Sequence, residues 1–413
     1  MKIAVVGSGI AGLAASWFLG ARHEVHLFEK QPELGMAARG LEWGGARVDM
    51  PLRVLYRGYY PTLTALYADA GIAITSSDYS ASFSDLDGTC YFRYRNWRPW
   101  QRVSLPFLGG GQPLGQRTRH IVTDLARLYA RARRDREGRA GEGVSLQQYL
   151  DAGRYSEAFT EDFLLPTFAA IGTCDVDSVR RYPATVVLDY LSRGVLLEGV
   201  SRTVHGADHV VQRLSRRCSA LHLGAGVQGI ERHSDGVQIT DGEGVRHGFD
   251  HLVLATQGNQ ALRLLGAAAE DAEAEALSAF RYEASEVVVH TDPRLMPSDR
   301  KNWSPVNFFR DRSLPRPMAS IWLNRVLPIA EDAPDAFQTW NPLLDADEAQ
   351  VHARAHFERP VVDAASQTGL KGLQALHRAP HRRIWFCGSY AESGVPLLES
   401  AARSAKQVAE RIG

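Results

Sequence analysis

Three glycines near the N-terminus have the spacing of a phosphate cradle. Gly7-Ser8-Gly9-Ile10-Ala11-Gly12 is a GxGxxG run. In such a run the first glycine permits a tight turn out of a strand. The second lets backbone approach a pyrophosphate, and the third lets helix and strand pack closely. Glu29 follows 22 residues after Gly7. An acid at that distance can accept hydrogen bonds from a ribose 2′-OH, and it would repel a 2′-phosphate. The chemistry this predicts is dinucleotide binding, with FAD and NAD both compatible.

Other reactive residues are scattered. Cys90, Cys174, Cys218 and Cys387 form no CxxC pair, so zinc and thioredoxin-like chemistry have no support. Four reduced thiols and no metal site are expected. Asp49 follows a short apolar strand and reads equally as a turn acid. His290 ends another strand, where a satisfied polar residue is the simpler reading and a base the alternative. Arg131 to Arg139 holds five arginines interleaved with acids. A solvated helix end accounts for that run, and docking to an acidic carrier or an anionic membrane is the alternative.

The elements that must position the cradle are legible. Lys2 to Val6 is a short apolar run, the pattern of a strand buried on both faces. Leu13 to Leu19 continues as an apolar helix, and Glu24 to Phe28 as a second strand ending at Glu29. This is a βαβ unit with the glycines at its first turn. Leu34-Gly35-Met36-Ala37-Ala38-Arg39 and Arg47-Val48-Asp49-Met50-Pro51 read as loop, strand and loop. Tyr59 to Ala70 reads as a helix with Pro61 near its start. Residues 79–108, with Tyr91, Phe92, Tyr94, Trp97 and Trp100, alternate as strands do. Residues 116–200 read as mainly helical, broken at Pro166, Gly172 and Pro183. Strands return in 207–265, at 287–290 and 319–323, and at Ile384–Phe386, and Leu397 to Ile412 reads as a terminal amphipathic helix.

The 413 residues are ample for two to three domains at about 150 residues each. Lys+Arg and Asp+Glu are both 47, so the formal net charge is zero. That balance argues against a general nucleic-acid binder. No run of about 18 apolar residues exists to cross a membrane. Gly7, Gly9 and Gly12 interrupt the N-terminal apolar run, which a secretory signal would need to sustain over about 7–15 residues. A cytoplasmic location is expected.

The chain resembles the flavin-dependent amine oxidase and phytoene desaturase superfamily. The likeness rests on GSGIAG with Glu29, on the segment around Val227 closing with Leu252-Val253-Leu254-Ala255-Thr256, and on Phe386-Cys387-Gly388-Ser389 with its helix. The stretches His290 to Pro297, Ile321 to Arg325 and Trp385 to Tyr390 look most like bacterial predicted NAD/FAD-binding oxidoreductases. Those are related to the oxidase-like N-terminal domain of plant cyclopropane fatty acid synthases. The resemblance implies an α/β fold (α+β overall) with a Rossmann-like FAD-binding domain of the amine oxidase/glutathione-reductase type. It implies a cofactor-binding domain from segments 1–60, 205–265 and 380–413. Segments 61–204 and 266–379 would form a discontinuous substrate domain of β-sheet plus helices.

The resemblance also implies a cofactor site. Gly7, Gly9, Ile10, Ala11, Gly12, Glu29 and Lys30 would hold the ADP half of noncovalent FAD. Arg39, Asp49, Val227, Ala255, Thr256, Gly388, Ser389 and Val395 would complete the pocket. Some positions depart from the family pattern: Met36 stands where a second glycine is usual, Ser389 for Asp, and Ala401 for Gly. Met50-Pro51-Leu52-Arg53 replaces a small, flexible stretch. These point to a retained but modified flavin pocket.

An oxidase of this type needs no catalytic triad, because the flavin accepts the hydride. Relatives often use a lysine near the flavin, and Lys301, Tyr56 and His290 are the candidates here. Tyr94, Trp322 and Asn324 are candidates for pocket lining. The implied activity is oxidation or desaturation of a largely apolar small molecule, an amine or an acyl-like chain, possessing no nucleic-acid partner. Acyl-carrier or peripheral membrane contact is compatible with it. A non-redox double-bond isomerase and a non-catalytic nucleotide-binding scaffold are the alternatives.

Overall fold

The computed structural model describes residues 1–36, 39–100, 103–108, 115–194 and 199–413. Ala37, Ala38 and the side chain of Trp100 lie outside the described residues. The chain begins with strand β1 (Lys2–Val6), helix α1 (Ile10–Leu19) and strand β2 (Glu24–Glu29). β1 and β2 pair in parallel, and β1 pairs on its other side with His251–Leu254. Ala220–Leu223 and Ile384–Phe386 add parallel edges, giving a five-stranded sheet.

Alternation along β1 explains why this sheet is buried on both faces. Ile3 and Val5 join the core formed with α1 and the terminal helix Leu398–Ile412. Ala4 and Val6 face the opposite way, into a core with Phe28, Val237, Ile239 and Phe249. Successive strand residues point to opposite faces, so a strand covered twice must be apolar throughout. The antiparallel sheet of Gly229–Arg232, Val237–Thr240 and Arg246–Phe249 supplies the second cover.

A separate eight-stranded sheet takes residues from two distant parts of the chain. Ala81–Asp85, Cys90–Trp100 and Val103–Leu108 form one side. Five strands between Tyr282 and Pro360 form the other. The two sets join where Val306–Arg310 runs parallel to Ala81–Asp85. Helices from Gln116 to Ser192 cover one face.

Pro166 does not break this helical region. Thr160–Leu164 forms a π-helical turn, and Pro166 stands in the first turn of the segment Leu165–Gly172 that follows it. Pro166 offers no N–H to the Asp162 carbonyl four residues back, which accepts instead from the Tyr91 hydroxyl at 2.7 Å. The helix ends at Gly172, as expected, with Thr173 as its cap at φ +50°. In the run from 131 to 139, Arg133, Arg134, Arg136 and Arg139 each pair with an acid. Among the described residues no helix is long and apolar enough to cross a membrane.

Candidate functional site

β1 is the point where the sheet order reverses, with β2 on one side and His251–Leu254 on the other. In open parallel sheets such a point leaves a crevice beyond the strands' carboxyl ends. Gly7 turns out of β1 there with φ +100°, and its N–H donates to the Phe28 carbonyl at 2.8 Å. Ala255 continues the ladder, donating to the Val6 carbonyl at 2.9 Å. Gly9 is the N-cap of α1 and offers no side-chain cap, and the first turn holds no acid. The first amides of α1 therefore lack intrahelical partners at the positive end of the helix, a ready anion site. A Cβ built at Gly9 meets nothing within 4 Å. The open cradle fits a pyrophosphate.

Glu29 stands beside this cradle, 8% exposed. Its Oε2 accepts from the Ser8 N–H at 3.0 Å and from the Ser8 hydroxyl, and its Oε1 accepts from the Gln31 N–H at 3.0 Å. A carboxylate oxygen has two lone-pair sites, so Oε1 keeps acceptor capacity for a ribose hydroxyl. The loop leading to Val227 is tied to the same edge. Gly224 donates to the Gln31 carbonyl at 2.8 Å and Ala225 to the Glu29 carbonyl at 3.1 Å. Val227 is buried against this sheet's second core, and Lys30 is exposed beside Gly226. The structure thus gathers Gly7, Gly9, Ile10, Ala11, Gly12, Glu29, Val227, Ala255 and Thr256 at the carboxyl ends of the parallel strands.

The remaining expected cofactor residues sit differently. The Gly388 N–H donates to Ser404 Oγ at 3.0 Å, and the Val395 N–H donates to the Tyr59 hydroxyl at 2.9 Å. Both amides are already engaged. Ser389 borders a small void beside Tyr390. Arg39 is exposed, donates to the His356 carbonyl at 2.9 Å and lies over the Phe357 ring. Asp49 accepts from the Ala207 N–H at 3.2 and 3.0 Å, capping the helix Gly206–Leu214. Burial pushes the Asp49 carboxyl upward, and the Arg53 charge opposes that rise.

A cavity of about 280 Å³ lies between the eight-stranded sheet and the helices. That is near the lower end of small-molecule sites, at about 300 Å³. Its floor is Ala81 and Phe83, Val306 and Phe308, Ala319 and Ile321. These are alternate residues on three adjacent strands, the period-2 face of the sheet. Its roof includes Phe163, Phe168, Ile171 and Tyr190 from the helices. Phe83 stacks on Phe308 with ring centroids 4.7 Å apart. Leu397 and Leu398, at the start of the terminal helix, close the cavity toward the parallel sheet, together with Pro51 and Arg53.

Tyr56 and Tyr94 line this cavity, as do Tyr60 and Tyr79. Burial pushes the Tyr56 phenol up to about 12, and it raises Tyr60, Tyr79, Tyr94 and Tyr190 in the same direction. These hydroxyls stay protonated and neutral at physiological pH. The cavity's charged groups are Arg53 and Arg359, which the sequence reading did not single out as site residues. The signal for Arg53 was its place in the unusual Met50-Pro51-Leu52-Arg53 stretch. Arg359 had none, because a single arginine on an alternating edge strand reads as solvent-facing.

Lys301 and His290 do not line the cavity. The Lys301 side chain is 87% exposed, 3.7 Å from Asp299. His290 is fully buried; its Nε2 meets Thr339 Oγ1 at 2.7 Å, and its Nδ1 accepts from the Asp292 N–H at 3.1 Å. Burial pushes its imidazole down to about 4, so it is a neutral, satisfied core residue. Trp322 donates to Asp335 at 2.8 Å, and Asn324 pins the 334–336 turn. Cys387 is fully buried, its thiol pushed up to about 12.

Comparison with known proteins adds to this geometry. Residues 5–70 match the family model described as an NAD(P)-binding Rossmann-like domain. A search of curated protein sequences returns no significant match. Solved structures are similar over the whole chain. A cofactor-binding redesign of putrescine oxidase superposes with TM-score 0.67 at 15% identity, covering 100% of this chain and 98% of that one. A CLA-producing fatty acid isomerase from P. acnes gives 0.67 at 14% identity, covering 99% and 98%. An oxidoreductase from Methanosarcina mazei gives 0.65 at 14% identity, covering 98% and 99%. With the uncapped cradle at the sheet's switch point, these matches show a Rossmann-like domain, similar over residues 5–70 to the NAD(P)-binding model, within the overall fold that these oxidase, isomerase and oxidoreductase structures share.

Proposed function

We propose that the chain is an oxidoreductase that binds FAD noncovalently and accepts a hydride at the flavin N5 from a largely apolar small molecule. The observation that carries this reading is the pairing of an open, uncapped dinucleotide cradle with a largely aromatic cavity in one fold shared with putrescine oxidase. In this reading segments 1–60, 205–265 and 380–413 hold the cofactor, and 61–204 and 266–379 hold the substrate.

Bound FAD supplies the hydride acceptor, so the chain needs no nucleophile or acid–base triad. The first turn of α1 neutralises the pyrophosphate, and Glu29 orients the ribose. The phenylalanine floor and roof exclude water and align an apolar chain. The tyrosine hydroxyls, held neutral by burial, donate hydrogen bonds without taking up a proton. The buried, protonated Cys387 thiol favours a cofactor that is not covalently linked.

The test is the visible spectrum of the purified protein before and after denaturation. Flavin bands released into solution support the reading, and a protein that stays colourless with added FAD overturns it. Anaerobic mixing with amines and unsaturated acids then tests the reaction. Bleaching of the flavin supports oxidation. A product of unchanged mass with no acceptor consumed replaces oxidation by isomerisation.

A further inference from the structure

We propose that Arg53 and Arg359 form an anion seat in the aromatic cavity, so that the substrate is an apolar carboxylic acid and not an amine. This rests on the reading of that cavity as the substrate site.

Arg53 lines the cavity. Its Nη1 is shielded from solvent and meets no acceptor. Among the described residues its guanidinium makes neither a hydrogen bond nor an ion pair. The carboxylate that acts on it is Asp49, but Asp49 is engaged by the Ala207 N–H and forms no ion pair with it. Arg359 lines the same cavity and makes one long hydrogen bond, 3.5 Å to the Pro396 carbonyl. The groups acting on Arg359 are Tyr60, Tyr182, Cys174 and Arg53. The two phenols and the thiol are all raised by burial and are neutral, so none of them offsets its charge.

A guanidinium does not lose its proton in a protein. Two such cations therefore face one cavity without an ion pair, Arg53 offset only by the field of Asp49 and Arg359 only by the Trp340 ring 6.0 Å away, and each raises the cost of the other. A carboxylate would relieve that cost through charge-assisted, bidentate bonds. An ammonium would add a third positive charge. The rest of the wall is mostly aromatic or aliphatic, with Asn96, Ser104, Thr167 and Thr173 as its neutral polar side chains, which fits one acidic head on an apolar body. The anionic parts of a bound dinucleotide are a second source of the same chemistry, and the experiment separates the two.

The experiment titrates the full-length protein with decanoate, decanol and decylamine, following tryptophan fluorescence and thermal stability. It uses the wild type, Arg53→Met and Arg359→Met. FAD affinity is measured on the same proteins. Wild type is expected to bind decanoate at least about tenfold more tightly than decanol, with decylamine weakest. Each substitution should abolish that preference while decanol and FAD affinities stay within about twofold. Arg53→Met should also raise the Tm of the ligand-free protein, because it removes a buried charge that has no ion-pair partner. A loss of FAD affinity with the acid preference intact would assign the arginines to the cofactor and overturn the proposal. So would a wild type that binds acid and alcohol alike. A colourless protein that still prefers decanoate would leave the seat standing and remove the flavoenzyme reading instead.

Discussion

A Cβ on Gly12 would stand 1.8 Å from the Gly7 carbonyl oxygen, whereas one on Gly9 would meet nothing within 4 Å. The two glycines of one motif therefore answer to different demands. Gly12 is required by the packing of α1 on the end of β1. Gly9 leaves room for something the chain itself does not supply.

This separates two variants. Gly12→Ala must push helix and turn apart, at about 1–3 kcal/mol, and should lower Tm clearly. Gly9→Val should fold with Tm changed by only a few degrees and lose dinucleotide binding. Thermal denaturation and FAD titration check both. A Gly9→Val protein that stays yellow would show that the pyrophosphate lies elsewhere.

Glu29→Arg should weaken FAD affinity by about tenfold or more, since it removes the ribose acceptor and the partner of Ser8. Glu29→Gln should lose less, because it retains one acceptor oxygen. Quenching of FAD fluorescence on binding measures both. Equal affinities across the three proteins would remove Glu29 from the site.

Stability should fall in acid through His290. Its folded value of about 4 lies below its ordinary value of 6.5, so the unfolded chain binds the proton first. Stability is fully present above about 6.5 and is lost as pH falls toward 4, on the order of 3 kcal/mol. His290→Asn should flatten the Tm profile across that window. An unchanged profile would place the acid sensitivity in other groups.

Ala319 forms part of the cavity floor and is 5% exposed. Ala319→Phe should fill that space, leave FAD affinity unchanged and abolish binding of apolar ligands. Ligand titrations of the folded variant decide this, and retained binding would move the substrate site out of the cavity.

The terminal helix is joined to the helix Pro61–Asp69 by one buried acid. Glu399, 2% exposed, accepts the N–H groups of Thr62 at 3.1 Å and Leu63 at 2.9 Å. Glu399→Ala should cost about 1–2 kcal/mol by uncapping that helix. Denaturant titration measures it, and an unchanged midpoint would show that the cap contributes nothing.

What the sequence determined by itself is local. The glycine spacing, the apolar run before it and the acid after it specify a βαβ dinucleotide unit within thirty residues. There, turn, helix start and strand depend on neighbours in the chain. The alternating strands and the terminal helix were legible for the same reason, because side-chain period reports which face is covered. The tertiary structure alone decided the aromatic cavity. Its floor comes from residues 81–83, 306–308 and 319–321, and its roof from residues 163–190. No local pattern records that these segments meet. The same holds for Arg53 and Arg359, more than three hundred residues apart in the chain. Each reads as an ordinary polar side chain until the fold places both on the wall of one largely apolar cavity.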